Sequence, residues 1–307
     1  MRKYLGTVFI IIIVMFFAGC IITLNGLVGE FHVKEARLAK PSILFLKLEG
    51  VILDGQDFLK DLRKYAHEKD VKGVLVQINS PGGVVGPSQE IYSELLRIRT
   101  ELKKPVVVSC LGLAASGGYY AAVAADKIVA NPGALLGSIG VIMEFANLEK
   151  LYEWAKIKRY VIKTGAYKDS GAEYRDMRED EKMLFQEMAN EVLLQFKTTV
   201  SEARKLPMDV VSKYSDGRVF TGDTAVKLGF ADKVGTLEDA KREIGAMTGL
   251  GNDPELFSPP NPREDFFEMF SEVMHKQSLE SQLREALGAN VNVKLRGQPL
   301  FLMPGVL

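Results

Sequence analysis

A serine in a run of small residues is the side chain of this sequence best suited to nucleophilic chemistry. Ser116 follows two alanines and precedes Gly117 and Gly118, between a β-prone apolar run and an alanine-rich, helix-prone run. A serine at such a junction lies at a helix N-terminus, where unpaired N–H groups favour negative charge. The glycines let a substrate backbone approach closely. The same pattern often marks an ordinary helix N-cap, so its meaning depends on the rest of the chain.

A serine nucleophile needs a base, and a lysine is the best candidate in this chain. The histidines, His32, His67 and His275, fall in a polar N-terminal stretch, at the end of an early helix and in the C-terminal tail. Lys168 lies in a loop directly after a predicted strand, whereas Lys163, its nearest rival, lies within that strand. An unperturbed lysine is charged at pH 7, so a site that uses one as base must disfavour the charged form, as burial does.

Residues 79–83, Asn-Ser-Pro-Gly-Gly, are suited to supply the hydrogen-bond donors that an oxyanion needs. Pro81 fixes its own φ and holds Ser80 extended. Gly82 and Gly83 can then turn a backbone N–H toward a bound carbonyl group. Ser80 itself is a poor nucleophile candidate, because it is held extended and no helix begins there. On its own, this pattern is also that of an ordinary turn.

The composition excludes several classes of function. Lysine plus arginine and aspartate plus glutamate each total 39, so the net charge is zero and no global field attracts nucleic acid. The two cysteines, Cys20 and Cys110, lie in apolar runs, which makes a disulfide framework improbable. The histidines have no metal-ligand spacing, and we predict neither a metal site nor a cofactor.

Strand-like and helix-like patterns alternate at short intervals along the middle of the chain. This alternation predicts an α/β fold of repeated, parallel βαβ units with right-handed crossovers. The predicted strands are 43–48, 73–78, 105–110, 127–130 and 159–164, and the longer predicted helices are 56–67, 87–103, 179–205 and 237–247.

The N-terminus resembles a membrane anchor. Residues 5–24 carry no charge and are rich in Ile, Val and Phe, which is enough to span one hydrocarbon core as a helix. The basic residues among 1–4 predict a short cytoplasmic end, with everything after residue 25 outside. A cleaved signal peptide, or a lipoprotein signal at Cys20, are the alternatives.

The remainder divides into three parts. Residues 25–40 read as a polar stalk, and residues 41–250 as the globular domain. A break rich in Gly and Pro follows, and residues 251–307 form a C-terminal tail whose role the sequence does not indicate.

Four motifs in unbroken order resemble the short bacterial form of the signal peptide peptidase A family, which consists of Ser-Lys serine proteases. The predicted anchor agrees with that resemblance, which runs from about residue 41 to 247, whereas the tail departs from the family pattern. The motifs lie at residues 79–83, 114–120, 137–142 and 163–169, and the family's closing segment is matched by residues 216–230.

The resemblance implies a ClpP/crotonase-type fold and a role for each site residue. Ser116 matches the nucleophile and Lys168 the general base. Ser138 matches the serine that orients the lysine, and the backbone N–H groups of Gly82 and Gly117 match the oxyanion hole.

An aspartate directly follows the proposed base. Asp169 would favour the charged form of Lys168 if its carboxylate faced the amine. We therefore expect this carboxylate to face away and Ser138 to be the neutral partner of the lysine.

Family members assemble as rings whose active sites are built from neighbouring subunits. The resemblance therefore predicts a homo-oligomer that is anchored in the bacterial cell membrane with its catalytic domain on the extracytoplasmic (periplasmic) side. Its substrates would be released signal peptides and similar apolar peptides. Two alternatives stay open: a crotonase-type acyl-CoA hydratase or isomerase, which would use a catalytic carboxylate, and a non-catalytic membrane scaffold of the same fold.

Overall fold

Strands and helices alternate along the chain from Ser42 onward. The computed structural model describes residues 40–260 and 300–302. All of these except Pro260 belong to one compact unit. The predicted anchor, nearly all of the stalk and most of the tail lie outside the described residues. Within the described part, no helix is both long and apolar enough to cross a bilayer.

The first half of the domain is built from three long strands and the helices between them. These elements are β1 (Ser42–Ile52), α1 (Gln56–Ala66), β2 (Val71–Val84), α2 (Val85–Thr100), β3 (Val106–Ala115) and α3 (Gly117–Ala122). The sequence predicted the existence and order of these long elements, because each carries an apolar run or an apolar face at helical spacing. The strands predicted at 73–78 and 105–110 are longer than expected, since β2 continues through the 79–83 motif to Val84 and β3 continues to Ala115.

The second half has shorter strands and one long helix. Its elements are β4 (Lys127–Ala130), β5 (Leu135–Gly137), α4 (Glu149–Trp154), α5 (Glu179–Arg204), α6 (Met208–Lys213), β6 (Val219–Thr221), α7 (Gly222–Lys227), β7 (Lys233–Val234), α8 (Leu237–Thr248) and β8 (Leu256–Phe257), and β9 (Leu300–Leu302) follows in the tail.

One sheet contains all nine strands, and six of them follow the order β6-β5-β3-β2-β1-β8. The pairings β1–β2 and β2–β3 are parallel, and β3 pairs in parallel with β4 along its first half and with β5 along its last residues. This arrangement confirms the predicted α/β fold of βαβ units. The strands β8 and β9 lie beyond residue 250, where we placed the end of the domain, so the sheet draws in two pieces of the predicted tail.

The sheet buries both of its faces. Leu44 and Val76 point to a large core that also contains the apolar sides of α1, α2 and α3. Their neighbours Ile43 and Leu75 point to the opposite face, where Ile244 of α8 covers them. Successive side chains of a strand alternate between faces, so a parallel sheet with helices on both sides needs continuous apolar strands.

The predicted strand at 159–164 is wrong for this chain. The segment has no regular secondary structure, and all of its residues are exposed. Its β-prone composition is real, but no strand of the described residues lies beside it to complete a ladder. An unpaired β-prone segment has no backbone hydrogen bonds to hold it in a sheet.

Candidate active site

Ser116 occupies a strained turn between β3 and α3. Its backbone has φ 51° and ψ −116°, a region that a non-glycine residue enters only at a cost of about 1–3 kcal/mol. Two hydrogen bonds hold it there: its N–H donates to the Gly137 carbonyl at 2.7 Å, and its own carbonyl accepts from the Tyr120 N–H at 2.8 Å. The strain is therefore imposed by the sheet and the helix together.

The hydroxyl of Ser116 is buried and unpartnered. The residue is 0% exposed. In the described part of the chain, the buried side-chain oxygen and nitrogen atoms without a hydrogen-bond partner are the Oγ atoms of Ser116 and Ser42. A buried hydroxyl without a partner costs about 1–3 kcal/mol. Such a group on a strained turn is a candidate nucleophile.

Ser138 lies beside Ser116 at the end of the neighbouring strand. Ala115 of β3 pairs with Gly137 of β5, so the two serines are the next residues along two adjacent parallel strands. Ser138 is buried and also has a positive φ, 50°, with its N–H donating to the Arg218 carbonyl at 2.8 Å. The structure thus brings together two of the predicted site residues.

Gly82 follows the end of the next ladder, in which Ser80 of β2 pairs with Ala114 of β3. Its φ is 98°, a conformation that glycine adopts without strain. Its N–H donates to the Ser80 Oγ at 3.1 Å, and that hydroxyl in turn donates to the Gly50 carbonyl at 2.6 Å. The predicted oxyanion donor is therefore at the right edge of the sheet but engaged with Ser80 in this state.

Glycine is also required on the helix side of the same contact. A Cβ on Gly118 would lie 2.9 Å from the Ser80 carbonyl oxygen and 3.2 Å from the Ser80 Cβ. The absence of a side chain at Gly118 lets α3 begin directly against the end of β2. Gly82, Ser116, Gly117 and Ser138 consequently share one edge of the sheet.

Lys168 does not join this group within the single chain. Its N–H donates to the Gly165 carbonyl at 3.2 Å in a turn, and its side chain is exposed. No hydrogen bond or ion pair of its amine is found within residues 40–260, and the Ser116 Oγ likewise lacks a partner there. The predicted nucleophile and base are thus not hydrogen-bonded to each other in one copy.

The Asp169 carboxylate is hydrogen-bonded to three side chains, none of which is that of Lys168. Its carboxylate accepts from Lys163 Nζ at 2.6 Å, from the Tyr174 hydroxyl at 2.9 Å and from Arg175 Nη2 at 2.9 Å. These partners, Arg175 foremost, hold the pKa of Asp169 well below its usual range. Lys163, the rival candidate for the base, is committed to this ion pair.

A second carboxylate completes a network that the sequence did not predict. Glu181, in the first turn of α5, is fully buried. Its carboxylate accepts from Arg175 Nη2 at 2.6 Å, from Ser170 Oγ at 3.2 Å and from the backbone N–H of Arg178 at 2.9 Å. Arg175 above all lowers the pKa of Glu181 to about 2. The only signal in the sequence was the charged loop that precedes the acidic start of α5.

The segment 141–178, here called the arm, carries Lys168 and leaves several large apolar side chains in solvent. Trp154 is 81% exposed and Tyr160 85%, and Ile162 is fully exposed. Large apolar side chains this exposed are typical of surfaces that contact another protein or a membrane. No cluster of three or more metal-ligating side chains is found in the described part of the chain.

Comparison with known proteins decides the family. The family described as Peptidase family S49 matches residues 99–250, and the Clp protease family matches residues 32–134. The chain is 38% identical over 227 residues to a Synechocystis protein named "Putative protease slr0021", covering 73% of this chain and 81% of that protein. The chain belongs to peptidase family S49.

Other members of the family agree with the resemblance seen in the motifs. The chain is 34% identical over 219 residues to the Enterococcus faecium protein named "Putative signal peptide peptidase SppA", covering 67% of this chain and 63% of that one. It is 35% identical over 196 residues to an Arabidopsis thaliana protein named "Serine protease SPPA, chloroplastic", covering 64% of this chain and 29% of that one. It thus spans less than two thirds of these two relatives. The predicted signal peptide peptidase A-type serine protease is confirmed.

Among solved structures, a ClpP1 mutant from Listeria monocytogenes superposes with a TM-score of 0.44 at 17% identity, covering 64% of this chain and 93% of the other. This overlap is too loose to carry a fold assignment. The Clp protease match and the βαβ units are what support the ClpP-type architecture predicted for this S49 peptidase.

Proposed function

We propose that this serine peptidase is a membrane-anchored endopeptidase that uses a Ser116–Lys168 dyad to degrade released signal peptides and similar apolar peptides at the extracytoplasmic face of the membrane. The observation that carries the proposal is the Ser116 hydroxyl, buried and without a partner on a strained turn. A hydroxyl held in this way is free to attack an incoming carbonyl group.

The proposed reaction has two halves. Ser116 Oγ attacks the carbonyl carbon of the peptide bond while its proton passes to the neutral amine of Lys168. The oxyanion accepts from the N–H groups of Gly82 and Gly117, and the first of these must leave its present acceptor on Ser80. The C–N bond then breaks, and the leaving amine takes the proton from the lysine. Water releases the acyl group in the same way, again with the lysine as base.

A second copy of the chain would complete the site. Lys168 is exposed and lies on the arm, whose Trp154, Tyr160 and Ile162 are also exposed. Docking of the arm on a neighbour would bury these side chains and would give the β-prone segment 159–164 a partner. Repetition of this head-to-tail contact closes a ring, in which the lysine of one copy serves the serine of the next.

Burial against a neighbour also suits the chemistry. A lysine accepts a proton only when neutral, and removal from water disfavours the charged form. Ser138 is buried beside Ser116 and would receive the incoming amine as a hydrogen-bond partner. Such an arrangement keeps the base inactive until the copies assemble.

Covalent labelling tests the proposal. The purified full-length protein is treated with a fluorophosphonate or β-lactone probe, and the adduct is mapped by mass spectrometry. Label on Ser116, together with cleavage of synthetic signal peptides, is the expected result. No label but binding of acyl-CoA would favour a crotonase-type enzyme, and neither reaction would indicate a non-catalytic scaffold.

A further inference from the structure

The loop around Lys168 is held on both sides of that residue, whereas the lysine side chain itself is exposed. Before it, the Ala166 carbonyl accepts from Lys163 Nζ at 3.2 Å. After it, the Asp169 carbonyl accepts from Arg175 Nη2 at 3.0 Å. Two cationic side chains therefore tie down the backbone at positions that flank the proposed base.

The same two cations also bind the carboxylate that follows Lys168. Asp169 Oδ1 accepts from Lys163 Nζ at 2.6 Å and from Arg175 Nη2 at 2.9 Å, and Oδ2 accepts from Arg175 Nε at 3.3 Å. An arginine that binds both oxygens in this way fixes the orientation of a carboxylate. The Asp169 side chain is only 11% exposed, so its charge is screened little by solvent and is offset by these neighbours instead.

Arg175 is anchored in turn by the start of α5. Its Nη1 donates to Glu181 Oε2 at 2.9 Å and its Nη2 to Glu181 Oε1 at 2.6 Å. The same carboxylate accepts from the backbone N–H of Arg178 at 2.9 Å, and the Arg178 guanidinium lies 2.8 Å from its Oε1. One guanidinium, that of Arg175, therefore joins the loop that carries Lys168 to the first turn of a long helix.

The charged groups near Lys168, on residues 159–178 and on the first turn of α5, are matched. Tyr167 and Tyr174 are neutral partners, because the hydrogen bond to Asp180 raises the pKa of the first phenol and partial burial raises that of the second. Asp176 accepts from the side-chain amide of Asn147. The other carboxylates of these segments each pair with a cation: Asp169 with Lys163 and Arg175, Glu181 with Arg175 and Arg178, Asp180 with Arg178, Glu173 with Arg159, and Glu179 with Lys182.

An uncompensated carboxylate next to Lys168 would oppose its role as base. Adjacent Cα atoms are about 3.8 Å apart, and an opposite charge at close range favours the charged form of an amine, which cannot accept the proton of Ser116. Arg175 above all holds the pKa of Asp169 well below its usual range, so the carboxylate stays ionised wherever a lysine could serve as base. Only cations can then offset its charge, and Lys163 and Arg175 supply them.

We propose that Lys163 and Arg175 are positioning residues of the reaction, which fix the loop around Lys168 and keep the Asp169 carboxylate engaged so that it does not pair with the amine of the base. The inference rests on the proposed function, since it concerns the base of that site. Both residues act through Asp169 and the backbone and not on the substrate. Lys163 thus has a role other than that of a rival base.

Lys163→Gln tests the charge part of the proposal at a side chain that is 32% exposed. In the full-length protein, the midpoint of the pH profile for cleavage of an apolar peptide should rise by about half a unit or more, because Asp169 loses one of its two cations. The rate at the alkaline plateau should approach that of the wild type. Lys158→Gln, at a lysine outside the paired set, is the control and should leave the midpoint in place. An unchanged midpoint in Lys163→Gln would overturn the proposal.

Removal of the carboxylate should reverse this shift. Asp169→Asn alone should still cleave, with a midpoint at or below that of the wild type, since Arg175 keeps its pair with Glu181. Lys163→Gln combined with Asp169→Asn should bring the midpoint back from its raised value. A merely structural role for Lys163 does not predict this rescue, because the double variant has lost both partners. A midpoint that stays as high as in Lys163→Gln alone would contradict the proposal.

Arg175→Lys tests the positioning part. A lysine keeps the charge but not the planar fork that binds Asp169 and Glu181 together. We expect kcat to fall by roughly tenfold at every pH, with KM and the midpoint little changed, because the loop is held less precisely whereas its charge is kept. Light scattering shows whether the variant still assembles like the wild type. A wild-type kcat would show that Arg175 does not position the base.

Chemical labelling of the amine separates this proposal from the proposed function. Acetic anhydride reacts with the neutral amine, so the rate of Lys168 acetylation across pH, read by mass spectrometry in the full-length protein, reports that form without any need for catalysis. Its midpoint should rise in Lys163→Gln and return when Asp169→Asn is added. These shifts in a protein that cleaves no peptide would support the positioning of the lysine and reject the peptidase function. Cleavage that depends on Ser116 and Lys168 without the shifts would do the reverse.

Discussion

The edge of the sheet that carries Ser116 and the arm that carries Lys168 are held by opposite means. Around Ser116, strand ladders and short backbone hydrogen bonds force a strained turn, and every neighbour is buried. The arm has one short helix, a network of ion pairs and large apolar side chains in solvent. The fold thus preorganises Ser116 of the proposed dyad, whereas Lys168 lies on an exposed surface.

This difference indicates what the proposed site lacks, which is a surface that buries Lys168. The network of Asp169, Arg175 and Glu181 fixes the backbone that bears Lys168, but it does not bury the lysine. Among residues 40–260, no surface buries Lys168. Substitutions at the edge that carries Ser116 and substitutions in the arm should therefore have different effects.

The largest effect is expected at the nucleophile. Ser116→Ala should lower peptide cleavage by about a thousandfold or more while the protein still folds, because only one oxygen is removed. Ser42→Ala is the matched control, since the Ser42 hydroxyl is also buried and unpartnered, and it should retain activity. Steady-state cleavage of an apolar peptide checks both. Substantial residual activity in Ser116→Ala would point to another nucleophile.

A loss of similar order is expected for Lys168→Arg, because a guanidinium stays protonated and cannot serve as base. Lys163→Arg is the control: it keeps the charge that pairs with Asp169 and should cleave at nearly the wild-type rate. Wild-type activity should rise with pH, since only the neutral amine accepts a proton. Retained cleavage by Lys168→Arg, or a profile that follows a group titrating at about pH 6.5, would identify a histidine as the base.

A partial loss is expected at Ser138. Ser138→Ala should reduce cleavage by roughly tenfold and shift the pH profile, because one hydrogen bond to the lysine is lost. Ser138 has a positive φ, so Ser138→Gly is a second variant that removes the hydroxyl while relieving the backbone. The two variants should behave alike. Full activity in Ser138→Gly would mean that backbone strain, and not the hydroxyl, explains any loss in Ser138→Ala.

The smallest effect on chemistry, though not on stability, is expected at Glu181. Glu181→Gln should lower the free energy of unfolding by about 3 kcal/mol, because it removes the buried carboxylate charge that pairs with Arg175 and leaves that arginine with Asp169 alone of its two carboxylate partners. Glu179→Gln is the control in the same helical turn, where the carboxylate is exposed and pairs only with Lys182, and it should cost less than about 1 kcal/mol. Urea unfolding of the three proteins measures both.

The Glu181 contribution should also depend on pH. A carboxylate whose pKa is lowered by folding stabilises the protein above its ordinary pKa of 4.5, and this stability is lost as the pH falls toward the folded value of about 2. The gap in unfolding free energy between wild type and Glu181→Gln should therefore be full at neutral pH and narrower at about pH 3. A gap that does not change with pH would show that the ion pair is not its source.

The sequence predicted the elements that local patterns encode. The long strands and helices of the first half carry apolar runs or helical spacing. The closeness of Ser116 and Ser138 follows from the pairing of β3 with β5, which the structure shows. The positive φ of Ser116 could not be predicted, because it results from the Gly137 and Tyr120 hydrogen bonds. It is a property of the assembled sheet.

Three features depended on distant contacts and escaped prediction. β9 is three residues long and pairs with the end of β2, more than two hundred residues earlier in the chain. Glu181 is buried because Arg175 in the preceding loop pairs with it, whereas glutamate side chains are usually exposed to solvent. At 159–164 the sequence predicted a strand that the structure does not contain. The composition of this segment favours a strand, but no described strand pairs with it.

Mixing two inactive variants tests the central claim most directly. Full-length Ser116→Ala and Lys168→Ala are co-assembled in equal amounts, and peptide cleavage is measured against each variant alone. If the dyad joins neighbouring copies, about a quarter of the contacts pair an intact Ser116 with an intact Lys168, so about a quarter of the wild-type activity should return. Ser116→Ala mixed with the double variant should stay inactive. Mixed assemblies that remain as inactive as their parents would contradict the account and place both residues of the dyad in one chain.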